Sequence, residues 1–199
     1  PGVFQHTRSS LVEEVKKQEN ILQYLSKTIA NKVPKLSILV GIVERVSDLR
    51  IPSLYNSIVL ISSNECKIVS RKQLLPSYDV FDEARYFRPA QGPGVFSYKK
   101  NGINWKIGVT ICEDLWVDEK IQRQRIIGPD PIERLIPEKI NLLVNLSASP
   151  FNTSKKELRQ DLAAKASQRL DCPVIYLNQV GANDELIFDG ASFVLEKGK

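Results

Sequence analysis

The chain has 199 residues, of which 42% are hydrophobic and 26% charged, a balance typical of a globular domain with a substantial core. Its formal charge of +5 does not indicate nucleic-acid binding, because lysine and arginine are mixed with acidic residues along the chain. No apolar run approaches the roughly 20 residues that cross a bilayer, and the spacing of the three cysteines argues against a zinc site or a disulfide framework. We therefore expect one domain in a reducing cytoplasm, without membrane, nucleic acid or metal.

The first part of the chain predicts a long helix followed by three strands. Apolar residues recur at helical spacing over 9–31, and Pro34 interrupts the pattern. The β-branched run 36–44 predicts a buried strand. The runs 55–62 and 66–70 predict a β-hairpin around a Ser-Asn-Glu turn.

The middle of the chain predicts an irregular segment and a second hairpin. Residues 71–94 combine prolines, glycines and aromatic residues without a sustained period, and loops of that length are usually functional. Asn101 and Gly102 separate two apolar segments, and this dipeptide is typical of a type I′ hairpin turn. The second strand of that hairpin ends at Cys112.

The last part of the chain predicts helices that alternate with strands. A helix over 131–139 begins with a proline in its first turn and leads into a strand over 140–146. Ser154 and Glu157 predict a capping box at the start of the next helix, which has apolar residues at intervals of four.

The runs 172–180 and 186–195 predict the final strands, the second run as strand, turn and strand. Strands and helices thus interleave, and several strands pair as hairpins. A mixed α/β sandwich therefore fits the pattern better than a purely parallel, doubly wound sheet.

Cys112 is a candidate nucleophile because it lies where a buried strand ends, in the sequence GVTICEDLW. Catalytic groups of α/β folds collect at the carboxyl ends of strands. Alternatively, Cys112 is packed in the core, where free cysteines are commonly found. For Cys66 and Cys172 we prefer this interpretation. His6 is the only histidine, so a nucleophilic Cys112 needs a carboxylate or a lysine as its base.

GVTICEDLW resembles the nucleophile segment of the carbon-nitrogen hydrolase (nitrilase) superfamily, in the form found in the amidotransferase domains of glutamine-dependent NAD synthetases. Further segments match in the same order, and the resemblance covers nearly the whole chain after residue 36. They are YNSIVLI, RKQLLPSYDVFDEARYF, VNLSASPF and NQVGANDELIFDGASFV. The resemblance implies an α/β fold, the nitrilase-like αββα sandwich, here without its first strand and helix.

The resemblance also implies a catalytic set of Glu, Lys and Cys, with Cys112 as the nucleophile and Lys72 as the lysine. An ammonium group beside a thiol favours the thiolate and stabilises the oxyanion of a tetrahedral intermediate. Glu83 matches a further glutamate that orients the lysine, and the backbone N–H of Glu113 matches a second oxyanion donor. Read singly, Lys72 would be a surface lysine and Glu83 an exposed acid.

Three further residues match substrate-binding positions of the superfamily. Tyr78 matches an aromatic residue that lines the glutamine pocket, and its alternative is an ordinary loop tyrosine. Ser149 and Lys155 match positions that hold the amino-acid end of the substrate. Lys155 begins a predicted helix, so its ammonium group and the helix N-terminus could together bind an α-carboxylate, although an exposed lysine is an equal alternative.

The general-base glutamate of the superfamily has no match in the chain. In the superfamily it lies in a segment resembling FPEL, and Glu13, Glu14 and Glu19 are poor substitutes on the exposed face of the first helix. We therefore expect a fragment, cut at both ends and inactive alone. The resemblance implies a C-terminal synthetase domain that uses ATP and Mg²⁺, whereas the glutaminase step needs no cofactor.

The resemblance thus implies a cytoplasmic enzyme, a glutamine-hydrolysing NAD synthase, in which ammonia from glutamine converts deamido-NAD to NAD. A homo-oligomer is expected. Two alternatives remain at this point: a free-standing ω-amidase or nitrilase-like hydrolase, and a catalytically dead domain kept for assembly. An SGGxDS segment downstream of Lys199 would favour the synthetase.

Overall fold

The structure, a computed structural model, describes residues 8–46, 52–77, 81–121 and 127–196, with side chains from Val15 onward. The chain divides into two compact units, the first ending at Ala90 and the second beginning at Gln91. Each unit has its own sheet. The assignment of all 199 residues to one domain stays a prediction.

The first unit consists of one long helix and a three-stranded antiparallel sheet. Its helix is α1 (Arg8–Lys32), and the strand order is β1-β2-β3. The strands are β1 (Ile38–Arg45), β2 (Leu54–Ser62) and β3 (Glu65–Arg71). The predicted helix, strand and hairpin are therefore confirmed, with boundaries that differ by one or two residues.

The apolar stripe of α1 packs against this sheet. Its members form a core with residues of β1 and β2, namely Leu22, Ile29, Ile42, Val59 and Ile61. The side-chain amide of Gln18 also binds the backbone of β1, donating to the carbonyl of Val43 at 2.8 Å and accepting its N–H at 3.0 Å. Helix and strand are thus joined by burial and by hydrogen bonds that satisfy outward-facing backbone groups.

An irregular segment follows β3, as the sequence predicts for residues 71–94. Within its described part lies one short helix, α2 (Glu83–Tyr86). The segment is attached to the sheet through Phe87, which forms an isolated parallel bridge to Leu54.

The second unit is built on a five-stranded mixed sheet with the order β10-β7-β6-β5-β4. Its central strands β5, β6 and β7 are parallel, and β4 and β10 are antiparallel to their neighbours. The strands are β4 (Gly94–Lys100), β5 (Ile103–Ile111), β6 (Leu142–Ser147), β7 (Val174–Asn178) and β10 (Phe193–Leu195). Helices α3 (Pro131–Leu135) and α4 (Lys155–Leu170) provide the connections between the parallel strands.

The hairpin of β4 and β5 confirms the turn predicted at Asn101-Gly102. Both residues have positive φ, +50° and +79°, as a type I′ turn requires. The predicted strand 172–180 is divided, because β7 ends at Asn178 and a separate strand, β8 (Val180–Asn183), follows.

The predicted strand, turn and strand over 186–195 is also confirmed, although its two strands do not pair with each other. The first, β9 (Leu186–Asp189), pairs with β8 in a two-stranded sheet. The second is β10, which pairs with β7. The sequence pattern predicts that these residues form strands, but it does not predict which strands they pair with.

Two details of the helix predictions are wrong. The helix predicted over 131–139 ends as α3 at Leu135 and continues as a 3-10 turn over Ile136–Glu138. Pro137 lacks the N–H that an α-helical bond to Glu133 would need.

The second wrong detail is the capping box predicted at Ser154. The side chain of Ser154 makes no capping hydrogen bond to α4. Both the hydroxyl and the N–H of Ser154 donate instead to Oδ1 of Asn152, each at 3.2 Å. Among the helices of the described residues, none is long and apolar enough to cross a membrane.

Candidate functional site

The carboxyl ends of β5, β6 and β7 bring several predicted site residues of the second unit to one edge of the sheet. In register, Ile111 lies beside Leu146, and Ser147 lies beside Asn178. Cys112 follows Ile111 directly, so it leaves the sheet next to Ser147. This is the edge at which α/β folds assemble catalytic groups.

Cys112 has a backbone conformation that non-glycine residues rarely adopt. Its φ is +46°, and it begins a 3-10 turn over Cys112–Leu115. Asp114, buried with 1% exposure, closes this turn because its Oδ2 accepts the N–H of Ile111 at 3.1 Å. A sharp turn from strand to helix that presents a nucleophile is a recurring catalytic arrangement. The acid beside the thiol thus has a structural task.

The other two cysteines have different surroundings. Cys172 is buried, and burial raises the pKa of its thiol to about 11, so the reactive thiolate is scarce at neutral pH. Cys66 is exposed, and its Sγ donates to the carbonyl of Leu22 at 3.6 Å. Neither occupies the end of a parallel strand.

Polar side chains lie on β5 and β6 near the ends of these strands. Asn145 donates through Nδ2 to Oγ1 of Thr110 at 2.9 Å, and its Oδ1 accepts from the hydroxyl of Ser147 at 2.7 Å. Thr110 and Asn145 are both buried. Hydrogen bonds therefore link the side chains of Thr110, Asn145 and Ser147 across β5 and β6.

Tyr176 lies on β7, in register with Asn145. It is fully buried and its ring stacks on Phe193, with 5.0 Å between the centroids. Burial, with a further contribution from the charge of Cys112, raises the pKa of Tyr176 to about 12. The hydroxyl therefore stays protonated at neutral pH.

Ser149 and Lys155 lie close to the same edge. Ser149 is 3% exposed, and its N–H donates to Oδ1 of Asn178 at 2.8 Å. Lys155 is the first residue of α4, as predicted, and its Nζ lies 6.0 Å from the ring centroid of Trp116. Trp116 follows the turn that begins at Cys112, so both substrate-binding candidates are held near the nucleophile segment.

Lys72 and Glu83, both in the first unit, form an ion pair. Nζ of Lys72 donates to Oε1 of Glu83 at 2.6 Å, and the two side chains are 2% and 19% exposed. The backbone of Lys72 is fixed on both sides, donating to the carbonyl of Asn56 at 2.8 Å and accepting from Ala90 at 2.9 Å. A surface lysine and an exposed acid do not fit these positions, whereas the catalytic roles of the pair stay predictions.

Two predicted site residues can be placed only in part. Tyr78 lies outside the described residues, so its place in a glutamine pocket stays a prediction. Glu113 is buried in the 3-10 turn after Cys112, where the first N–H groups are not used by the turn itself. Its oxyanion role likewise stays a prediction.

Sequence reasoning missed a charged pair next to Ser149, formed by Arg159 and Asp189. The signal was present, since Arg159 shares a helical face with Leu162 and Ala166, which predict burial. A buried arginine requires a partner acid. Within the ranges that the structure describes, no cluster of three or more acidic, histidine or cysteine side chains could hold a metal ion.

Comparison with known proteins gives the family. The carbon-nitrogen hydrolase model matches residues 22–197. The chain is 45% identical over 192 residues to the glutamine-dependent NAD(+) synthetase of Synechocystis, covering 94% of this chain and 32% of the relative. It is 35% identical to the protein of the same name from Thermotoga maritima, covering 81% of this chain and 25% of the relative. The chain thus spans a third or less of the length of these relatives.

Solved structures agree with this result. The chain superposes on a glutamine-dependent NAD+ synthetase from Acinetobacter baumannii with a TM-score of 0.77 at 26% identity, covering 98% of this chain and 34% of the other. A carbon-nitrogen hydrolase from Helicobacter pylori gives a TM-score of 0.73 at 19% identity, covering 99% and 67%, and supports the fold alone. The predicted α/β fold class is confirmed, while the loss of a first strand and helix stays a prediction. The chain belongs to the carbon-nitrogen hydrolase family.

Proposed function

We propose that this chain is the glutaminase part of a glutamine-dependent NAD synthetase, which releases ammonia from the side chain of glutamine. The observation that carries the proposal is Cys112, presented at positive φ from the carboxyl end of a parallel strand. The similarity to synthetases over 94% of the chain supports the choice of glutamine as substrate.

In the first step, the thiolate of Cys112 would attack the carboxamide carbon of glutamine and form a C–S bond. The carbonyl oxygen becomes an oxyanion, to which the ammonium group of Lys72 and the N–H of Glu113 would donate. Collapse of this intermediate breaks the C–N bond, and ammonia leaves after it has received the thiol proton through a general base. The superfamily supplies that base as a glutamate upstream of the residues matched here.

In the second step, water would attack the γ-glutamyl thioester and release glutamate, which regenerates the thiol. Glu83 would keep Lys72 in place through both steps, since their ion pair fixes the ammonium group. Tyr78, Ser149 and Lys155 would hold the substrate, the last two through its amino-acid end.

In the whole protein, a C-terminal synthetase domain would use ATP and Mg²⁺ to activate deamido-NAD for attack by ammonia. The related Acinetobacter baumannii structure is described in complex with adenosine diphosphate, which supports a nucleotide site elsewhere in such proteins. The glutaminase step itself would need no cofactor. We further propose a cytoplasmic homo-oligomer.

The test uses the full-length protein that carries this chain, with Cys112→Ala. We expect glutamine-driven NAD synthesis to be lost and ammonia-driven synthesis to be kept, because the variant removes only the nucleophile. Cys66→Ala, which removes an exposed thiol, is the matched control and should keep both activities. Retention of glutamine-driven synthesis by Cys112→Ala would refute the assignment.

The same assay separates the two alternatives. A free-standing amidase would hydrolyse amides without making NAD, and its sequence downstream of Lys199 would lack an SGGxDS segment. A dead assembly domain would leave glutamine-driven synthesis at zero in the unmodified protein as well.

A further inference from the structure

Arg159 carries a buried guanidinium group for which the proposed chemistry has no use. Only 1% of its side chain is exposed, and it lies on α4 one turn after Lys155. A buried guanidinium needs a counter-charge and acceptors for its N–H groups, because unpaired buried charge is strongly destabilising. Its partners therefore identify what the side chain does.

Those partners are the loop that contains Ser149 and the end of β9. Nε donates to Oγ of Ser149 at 3.3 Å, and Nη2 donates to the carbonyls of Ser149 and Pro150 at 2.9 and 3.0 Å. Nη1 donates to both carboxylate oxygens of Asp189, at 2.9 and 3.1 Å. One side chain thus ties helix, loop and strand together.

Ser149 is held from its other side by Asn178. The side-chain amide of Asn178 accepts the N–H of Ser149 at 2.8 Å, and it donates to the carbonyl of Ser149 at 3.2 Å and to Asp189 at 3.4 Å. A guanidinium group has no acceptor, so Oγ of Ser149 is the acceptor in its bond to Arg159. The hydroxyl proton of Ser149 therefore points away from Arg159, on the side where Tyr176 also interacts with Ser149.

We infer that Arg159 and Asp189 are positioning residues that orient Ser149 and the first turn of α4 towards the α-carboxylate of the substrate. This inference rests on the proposed function, since it takes glutamine as the substrate. Asn178 lies beside Ser147 at the carboxyl edge that presents Cys112. The network therefore holds the amino-acid end of the substrate relative to the nucleophile.

Lysine cannot replace this arginine. Its ammonium group is a single charged point, whereas the planar guanidinium serves the hydroxyl, two carbonyls and a carboxylate at once. Arg159→Lys keeps the charge beside Asp189 and loses the orientation of Ser149. Asp189→Asn is a second variant, which keeps the shape and removes the counter-charge.

The test compares two reagents that alkylate Cys112 in the full-length protein. The glutamine analogue 6-diazo-5-oxo-L-norleucine has the amino-acid end, and iodoacetamide has only a carboxamide. We expect Arg159→Lys and Asp189→Asn to slow labelling by the analogue about tenfold, the effect of losing one good hydrogen bond. Labelling by iodoacetamide should change less than about twofold, because the thiol is untouched.

Arg169→Lys is the matched control. It lies on the same helix and pairs with Asp130 and Glu133 at 2.8 and 2.9 Å, so it tests the loss of an arginine ion pair away from Ser149. Both reagents should label this variant at the wild-type rate.

Each outcome separates the two claims. If the analogue does not label Cys112 in the unmodified protein, the proposed function fails. If it labels the unmodified protein and both variants equally, only the positioning roles fail. If both reagents slow down together in both variants, Arg159 and Asp189 support the fold alone and the inference is overturned.

Discussion

At the scale of single residues, the candidate site depends on side chains whose surroundings differ from those of the same residue types elsewhere in the chain. Lys72 is buried against Glu83, whereas Lys67, on the strand that ends just before Lys72, is exposed. Cys112 has positive φ at the end of β5, whereas Cys172 is buried before the start of β7. These contrasts provide matched controls within one chain.

Replacement of Lys72 by methionine should remove the ammonium group and keep most of the side-chain volume. We expect kcat for glutamine hydrolysis to fall by about 10²- to 10³-fold, the usual effect of losing one oxyanion donor. Steady-state glutaminase assays on the full-length protein measure this. Lys67→Met should remain near wild type, and a fall of less than about threefold in Lys72→Met would contradict the assigned role.

The thiol of Cys172 should resist alkylation until strongly alkaline pH. Burial raises its pKa from 9.0 to about 11, so the folded state binds this proton more tightly than the unfolded state does. The resulting contribution to stability is full below about pH 9 and is lost as pH rises through 11. Peptide-level mass spectrometry with iodoacetamide at about pH 8 should show exposed Cys66 labelled well before Cys172, and equal rates would contradict the burial argument.

At the scale of elements, the sequence predicts whatever local chemistry determines. The positive φ angles of Asn101 and Gly102 follow from the dipeptide itself, and the hairpin was predicted correctly. The capping box at Ser154 was predicted wrongly. Ser, Asn and Asp side chains compete for the same backbone groups, and the hydroxyl of Ser154 donates to Asn152 instead of capping the helix. The separate partners of β9 and β10 depend on contacts distant in sequence, which no local pattern contains.

Gly108 of β5 tests how closely the element that carries Cys112 is packed. A Cβ at this position would lie 2.6 Å from Cδ1 of Ile140 and 3.3 Å from Cδ2 of Leu135, so Gly108→Ala forces these side chains to move. We expect a loss of about 1–3 kcal/mol in the free energy of unfolding, measured by chemical denaturation. Gly92→Ala, with no atom within 4 Å of the added carbon, should change stability far less. Equal stability of the two variants would show that the contact relaxes without penalty.

At the scale of the whole molecule, the residues that the sequence predicts for the site come from both units. Lys72 and Glu83 belong to the first unit, and Cys112, Ser149 and Lys155 belong to the second. The family resemblance identified these residues but not Arg159 and Asp189. The helical face that Arg159 shares with Leu162 and Ala166 predicts its burial, but no local pattern indicates that Asp189 is its partner. Only the folded chain shows that they meet at Ser149.

The general-base glutamate that the resemblance implies leads to a prediction for the chain as a whole. The superfamily takes this glutamate from a segment that has no match in these 199 residues, and Glu19 is exposed on α1. We expect the 199 residues alone to hydrolyse no glutamine, because the resemblance matches none of their carboxylates to the superfamily's general base. The comparison is with the full-length protein that carries this chain, assayed for glutamate release. Iodoacetamide labelling of Cys112 in both proteins, with Cys172 protected, controls for folding, and turnover by the shorter protein would refute the need for an upstream base.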